Sequence, residues 1–304
     1  MQSLILHNYD FSNYAEKIRR VLGFKQLRWG SVEIPSVAPK PELQALTGGY
    51  RRTPVLQIGA DLYCDTRRIM RALEALKPLP TLYPAKLSAQ AEALSYWAET
   101  QLFRPIALYV SGSSPDVFPL SLQADRAQMR GVPVPSATAM QRAAKRNAPL
   151  VRIQLPRIEQ MLQDGRRWIL GDDVSVADFS VYHALWFMTA RTQRHAGELE
   201  PFQAIGGWMR RMDAMGHGER EPMTASEALN VAAQAEPALP LESHLQREDP
   251  ALGSTVRVRP SDYGQETVEG ELVHLSDEAI AVRRMDPKLG VLVVHFPRLG
   301  YDLR

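Results

Sequence analysis

Hydrophobic and polar positions along roughly the first 80 residues fall into short runs whose period changes several times. Residues 3–8, Ser-Leu-Ile-Leu-His-Asn, read as a short buried strand. Tyr14, Ile18, Val21 and Leu22 then recur at i, i+4, i+7 and i+8, the spacing of one helix face. A strand near Arg28–Ile34 follows, and then a proline-rich passage with Pro35, Pro39 and Pro41. Gly49–Ile69 reads as strand, tight turn, strand and helix, entered at Thr53-Pro54, with the helix starting at Asp65-Thr66. Ile69, Leu73 and Leu76 share a face of that helix, which Pro78 and Pro80 close. The order β-α-β-α-β-β-α predicts a small mixed sheet with helices on its faces.

From Leu87 the pattern turns helical. Leu87, Ala91, Leu94, Ala98 and Leu102 form one stripe, and Val151, Leu155, Ile158 and Leu162 another, which Pro156 is expected to kink or split. Between them a Pro- and Ser-rich insert, about Ser111–Pro135, is too long for an ordinary connection. It reads equally as a mobile cover or a disordered loop. Ser175 and Asp178 have the spacing of a capping box, with Val174 and Phe179 at the staple positions, so this segment nucleates a core helix.

Glu219–Pro250 has seven acidic residues, four Pro and six Ala, and reads as a linker or a loosely attached helix. Thr255–Arg259, Glu266–Leu275, Ala279–Arg284 and Gly290–Phe296 then read as four strands, with Tyr301–Arg304 as a short fifth. They predict a small all-β, barrel-like module.

Composition narrows the class. With 304 residues, 45% hydrophobic and 23% charged, the chain is globular and long enough for more than one domain. A net charge of +2 gives no global bias toward nucleic acid or membrane. The single cysteine, Cys64, rules out an internal disulfide and fits a reducing compartment. The N-terminal residues lack a basic segment followed by a long apolar one, so no signal peptide is expected, and no apolar run is long enough for a membrane span. The expectation is a cytoplasmic protein. There is no Cys-x-x-Cys, no His-Glu-x-x-His and no phosphate-cradling glycine loop, and the seven histidines show no ligand spacing; no metal is expected.

Two features carry chemistry. A proline opening a strand has no N–H to donate and leaves the edge beside Thr53 open. A helix start presents unpaired N–H groups and about half a positive charge, which attract a carboxylate. Side by side they could hold a peptide-like anion. The ordered set Ser12-x-Tyr-Ala-x-Lys-x-Arg19, then x-Pro54-Val-Leu, then Asp65-Thr-x-x-Ile69, then an all-helical half with Ser-Val-Ala-Asp178, resembles the cytosolic glutathione transferases over roughly residues 1–218.

The resemblance implies a thioredoxin-like glutathione-binding domain (1–80), an all-helical transferase domain (86–218), a linker (219–250) and the added β module (251–304). It also implies glutathione as co-substrate. The thiol, with an ordinary pKa of about 8.5, must ionise to react. Ser12, ahead of the first helix, is implied as the activating hydroxyl; Tyr9 and Asn13 are alternatives, because Asn13 stands where serine-type relatives often have proline. Ser12 could instead serve only as a cap, and Tyr14, on the apolar face, reads as core. Thr53-Pro54 matches the cis-proline position, whose preceding backbone pairs with the cysteinyl unit. Asp65 and Thr66 match the pair that grips the γ-glutamyl end. Arg52 or Lys40 could pair with the glycyl carboxylate. Cys64 reads as a small buried thiol.

The second substrate is expected between the two halves, with Trp97, Tyr109, Phe118 and Trp186 as wall candidates. Residues 101–160 carry eight basic and three acidic side chains, a local +5 that hints at an anionic substrate or partner or is a solvated face. Residues 251–304 carry seven basic and eight acidic side chains, without the footprint of nucleic-acid binding; protein contact, dimer support or covering the site suits them better. The leading expectation is a homodimeric transferase adding glutathione to an electrophilic small molecule, or cleaving an ether with the same thiolate. The rival is a non-catalytic scaffold of the same fold that binds a protein partner through residues 251–304.

Overall fold

A computed structural model describes residues 3–238 and 242–304. The first unit runs β1 (Leu4–Asn8), α1 (Asn13–Phe24), β2 (Arg28–Glu33), α2 (Pro41–Thr47), β3 (Val55–Ile58), β4 (Asp61–Cys64) and α3 (Thr66–Leu76). This is the expected element order. β1 is buried along its whole length because it lies between two partners: it pairs in parallel with β2 and antiparallel with β3. Gly59, at φ 61°, makes the tight turn from β3 into β4.

The helical half runs α4 (Ser88–Trp97), α5 (Phe103–Ser113), α6 (Leu120–Met129), α7 (Ala137–Leu162), α8 (Val176–Thr189) and α9 (Gln203–Asp213). A π-helical turn, Ala98–Leu102, joins α4 to α5, with the Phe103 N–H reaching back to the Ala98 carbonyl. Its cause is local: Pro105 has no N–H for the Gln101 carbonyl and its ring crowds that oxygen, so the turn widens. At the α8 start Asp178 accepts the Ser175 and Ile169 N–H groups, both at 2.9 Å, and the Trp208 indole at 3.0 Å, as a core-nucleating cap should.

Of the two outcomes expected at Pro156, a kink or a split, the split does not occur: α7 is one helix through Pro149 and Pro156. The prolines stand seven apart on its exposed face, where the Lys145 and Arg152 carbonyls they leave unbonded can meet water, while Ala144, Ala148, Val151, Leu155 and Ile158 hold the buried face. The Ser111–Pro135 insert is ordered and contains α6. Asp125 accepts the Ala38 N–H at 3.0 Å and is ion-paired with Arg51; Arg126 donates to the Tyr9 hydroxyl at 2.9 Å. The flanking Ser and Pro residues hid a ten-residue helix that a few charged contacts dock onto the first unit.

The acidic, Pro- and Ala-rich segment after α9 is not a free linker. β5 (Glu219–Met223) extends the sheet in parallel beside β2, and α10 (Ala225–Ala233), capped by Thr224 and Glu227, buries Ala228 and Ala232. The Gln57 side chain holds the Ala228 carbonyl at 2.9 Å. Part of 219–250 lies outside the described residues (239–241).

β6 (Thr255–Pro260), β7 (Val268–Leu275), β8 (Ala279–Asp286) and β9 (Gly290–Pro297) form an antiparallel meander, and β10 (Tyr301–Leu303) returns to pair with β6. This is the strand order of a small barrel, but β9 also adds in parallel to β4, giving one ten-stranded sheet, β10-β6-β7-β8-β9-β4-β3-β1-β2-β5. The seam is more than backbone: His295 bonds Asp61 at 2.7 Å and stacks on Tyr63 with centroids 4.4 Å apart. One apolar cluster runs from Ile5, Val55 and Leu62 through Val258, Val282 and Phe296. The last strands therefore share a core with the first ones.

Candidate active site

β3 and α3 meet at a cavity of about 200 Å³. Thr53, Pro54, Asp65 and Thr66 all line it, so the two sequence features form one site. The Thr53–Pro54 bond is cis, and Thr53 makes no backbone hydrogen bond to another main-chain group among the described residues. Its N–H and C=O are available to an extended ligand. Its side chain is fixed from behind: the buried Lys40 ammonium donates to the Thr53 hydroxyl at 3.0 Å and to the Arg51 carbonyl at 3.2 Å. Burial, with Arg126 nearby, pulls the Lys40 pKa down to about 8. Lys40 supports the cradle and does not line it.

Asp65 holds a left-handed backbone, φ 73°, which costs a non-glycine residue on the order of 1–3 kcal/mol and persists only where its surroundings enforce it. Its Oδ1 caps the Arg67 N–H at 3.0 Å and its Oδ2 accepts the Tyr301 hydroxyl at 3.3 Å. Both carboxylate oxygens are thus engaged within the chain. Beside it, Thr66 accepts a 3.2 Å hydrogen bond from the fully buried Lys17 ammonium, which is also ion-paired with Glu99. Glu99 sits on the π-helical turn and lines the same cavity. Burial opposes its ionisation, but Lys17 and Arg67 outweigh that and hold its carboxyl below the usual range.

The candidate thiol activators separate. Ser12 is the N-cap of α1; its Oγ accepts the Ala15 N–H at 3.2 Å, and its own proton has no acceptor among the described residues. Asn13 is committed sideways, its amide 2.9 Å from His183 Nδ1. Tyr9 is engaged elsewhere, packed on Phe11 and accepting from Arg126. Tyr14, which the helix spacing assigned to the core, is half-buried on the cavity wall, packed on Phe103 and His183. Burial pushes its hydroxyl pKa well up, so it stays a donor. Ser12, Asn13 and Tyr9 do not line the cavity; Tyr14 does.

The roof comes from the C-terminal strands. Ser261, Asp262, Tyr263 and Tyr301 close the cavity opposite Thr53. Arg52 lies 4.1 Å over the Tyr263 ring, donates to the Tyr263 carbonyl and is ion-paired with Asp262. Arg52 thus lines the cavity and is engaged by the roof. Tyr301 and Tyr50 bring their hydroxyls within 3.2 Å, and burial keeps both protonated. Sequence reasoning missed these residues, and Glu99 with them. The sequence placed Tyr301 on a short fifth strand, but nothing local shows that β9 docks on β4 and carries the roof into place. Cys64 is buried and its thiol is pushed up by burial, consistent with an inert packing role.

Tyr109, one of the wall candidates, belongs to a different hollow, between α5 and α7, together with Ser113, Lys145 and Arg152. There His195 lies 3.0 Å from Ser113 Oγ and 3.4 Å from Glu198. This resembles a hydrolytic triad but lacks its essentials: the Ser113 proton goes to the Tyr109 carbonyl at 2.6 Å, and a helix C-terminus offers carbonyls where an oxyanion needs N–H groups. Trp97, Phe118 and Trp186 do not line the cavity but pack in or against the main helical core.

The family profiles for the glutathione S-transferase N-terminal and C-terminal domains match residues 6–81 and 152–211. A GST-like protein of known structure from Pseudomonas syringae is 36% identical, with the match covering 100% of this chain and 99% of that one at a TM-score of 0.84. A glutathione S-transferase from Rhodospirillum rubrum is 22% identical over 69% of this chain and 87% of its own, TM-score 0.51. FzlA from C. crescentus is 21% identical over 78% and 95%, TM-score 0.53. At that identity these two speak for the fold alone. No curated protein sequence matches the chain. The Pseudomonas match includes the C-terminal strands.

Proposed function

The chain belongs to the glutathione S-transferase family, and on that premise we propose that it binds glutathione and transfers its thiol to an electrophilic small molecule. One observation carries the reading: the open backbone at Thr53–Pro54 and the α3 start at Asp65-Thr66 face one cavity beside the N-terminal end of α1. The cysteinyl unit would lie along Thr53 as an added strand, and Thr66 would take the α-carboxylate. Arg52 would serve the glycyl carboxylate by exchanging Asp262 for the ligand.

Ser12 is the assigned activator. Its unspent O–H donor and the partial positive charge at the α1 start both favour thiolate over thiol. The thiol proton passes to solvent; the sulfur attacks the electrophilic carbon, a C–S bond forms, and the leaving group departs with its electron pair. A homodimer in the cytoplasm is part of this reading; a sedimentation run giving a 34.1 kDa species would count against the dimer.

Calorimetric titration of glutathione into wild type and Asp65→Ala/Thr66→Ala tests binding, and turnover of a chloronitrobenzene tests transfer. Binding by wild type that the double variant loses, with turnover, supports the proposal. No binding by wild type overturns it in favour of a scaffold. Binding without turnover on any tested electrophile leaves a glutathione-binding scaffold.

A further inference from the structure

We infer that Asp262 is a built-in competitor for the glycyl carboxylate of the bound tripeptide, so that the roof favours a γ-glutamyl-cysteinyl peptide whose glycyl end is a neutral amide over glutathione itself. This rests on the glutathione reading of the pocket and names the form of thiol peptide that suits it.

Asp262 lies on the loop between β6 and β7, outside the residues that either family profile matches. Arg52 Nη2 donates both to Asp262 Oδ1 and to the Tyr263 carbonyl, and the guanidinium lies over the Tyr263 ring. A carboxylate facing that guanidinium is the group that the C-terminus of a peptide ligand would present there. The chain therefore fills the place with the ligand's own chemistry.

The loop does not depend on this pair for its position. The Gly264 N–H donates to the Met129 carbonyl at 2.7 Å, the Ser261 N–H donates to the Gly300 carbonyl at 3.0 Å, and Glu266 is paired with Arg51 at 3.2 Å. Asp262 itself is 60% exposed, and Arg52 is its one side-chain partner among the described residues. Both roof contacts fall on Nη2, while the buried Arg52 Nε makes no hydrogen bond. Turning the Asp262 side chain toward solvent would free the guanidinium without moving the loop. Two carboxylates thus compete for one cation, and the ligand bears the cost of the exchange.

Formal charges round the cavity point the same way. Asp65, Glu99 and Asp262 line it together with Arg52 and Arg67, and the buried Lys17 ammonium stands behind Thr66. Three carboxylates against three cations leave no net charge. Without Asp262 one positive charge would be in surplus, which suits glutathione with its two carboxylates and one ammonium. With Asp262 in place, the balanced ligand brings one carboxylate and one ammonium, as a tripeptide with a masked glycyl end does.

The test uses the full chain, glutathione and γ-glutamyl-cysteinyl-glycinamide, which differs from glutathione only in carrying a neutral amide for the glycyl carboxylate. Calorimetry on wild type is expected to give the amide an affinity equal to or higher than that of glutathione. Asp262→Asn should tighten glutathione by about fivefold or more, part of the roughly tenfold that a charge-assisted pair is worth, and change the amide by less than about twofold. Asp262→Ala should do the same, which separates the charge from any contact that asparagine keeps with Arg52. Glu266→Gln removes an acid of the same loop that does not line the cavity, and should keep the wild-type order of the two ligands. Wild type that prefers glutathione to the amide overturns the inference and leaves the glutathione reading standing. An Asp262→Asn variant in which both ligands shift equally, or neither shifts, does the same. Wild type that binds neither ligand overturns both.

Discussion

The Tyr301 hydroxyl on β10 donates to Asp65 Oδ2 at 3.3 Å, so the C-terminal strands hold the N-cap residue of α3 from above. The same hydroxyl lies 3.2 Å from that of Tyr50, and all three side chains line the cavity. Tyr301→Phe removes this contact and leaves the Arg67 cap intact. The expected cost is about 1 kcal/mol of stability, the net worth of one such hydrogen bond. Glutathione affinity should fall as well, by about twofold if half of that energy is expressed in the site. Urea denaturation and calorimetry measure the two effects. Unchanged affinity with lowered stability would make Tyr301 a structural strut only.

Two hydroxyls compete for the thiol. Ser12 has the helix terminus and an unspent proton; Tyr14 lines the cavity and stays protonated because burial pushes its pKa up. Ser12→Ala is expected to lower turnover roughly tenfold or more with little change in KM for glutathione, the pattern of an interaction that matters to the thiolate and not to binding. The apparent pKa of the pH–rate profile should move upward in that variant. Tyr14→Phe should cost less than about threefold. Loss of the cap alone removes about 1 kcal/mol of stability, so stability is measured alongside. If Tyr14→Phe shifts the profile and Ser12→Ala does not, the role passes to Tyr14.

Where pattern and local chemistry agreed, the sequence was readable. The first seven elements, the Ser175–Asp178 cap and the five C-terminal strands all rest on spacing within about 20 residues, and all are present; the cis state of Pro54, also present, is implied by the family resemblance alone. What failed was long-range. α6 is recognisable only through Asp125 and Arg126 docking onto Ala38, Arg51 and Tyr9, contacts made across 74 to 117 residues. The packing of α10 rests on Ala228, Ala232 and the distant Gln57. Glu99 looks like one more polar residue of a helix until Pro105 widens the turn it sits on. The roof residues needed the β4–β9 pairing, which no turn or period encodes.

Two buried histidines give the fold a specific acid sensitivity. Burial lowers His183 to a pKa of about 3 and His7 to about 4, against an ordinary value near 6.5. His183 takes the Asn13 amide on Nδ1 and leaves Nε2 buried without a partner; His7 is held by Gln57 at 2.9 Å. Because both are neutral when folded and would protonate more readily when unfolded, the unfolded chain binds more protons below about 6.5. Stability is therefore fully present above that pH and is lost as pH falls toward 4, by up to about 1.4 kcal/mol per pH unit for each group. The paired carboxylates Glu16 and Glu99, held below their usual range, contribute stability above about 4.3 and lose it only on further acidification. Urea midpoints at pH 7, 6 and 5 should drop steadily for wild type and less steeply for His183→Gln. Equal slopes in the two proteins would show that His183 does not carry the effect.

Residues 251–304 fold on the body of the protein and not beside it. β9 pairs with Asp61–Tyr63 of β4, and Val258, Val282 and Phe296 belong to the same apolar cluster as Ile5, Val55 and Leu62. A chain stopped at residue 250 would expose β4 as an unpaired edge together with the apolar face beneath it, the arrangement that invites edge-to-edge aggregation. It is expected to be insoluble or to bind a hydrophobic dye strongly, and the isolated 251–304 peptide to lack cooperative unfolding, since a module of that size has lost half of its core. Soluble expression, dye binding and thermal melts of both pieces check this. A soluble 1–250 chain that melts cooperatively and binds glutathione as tightly as the full chain would mean that the C-terminal strands are neither part of the core nor the roof of the site.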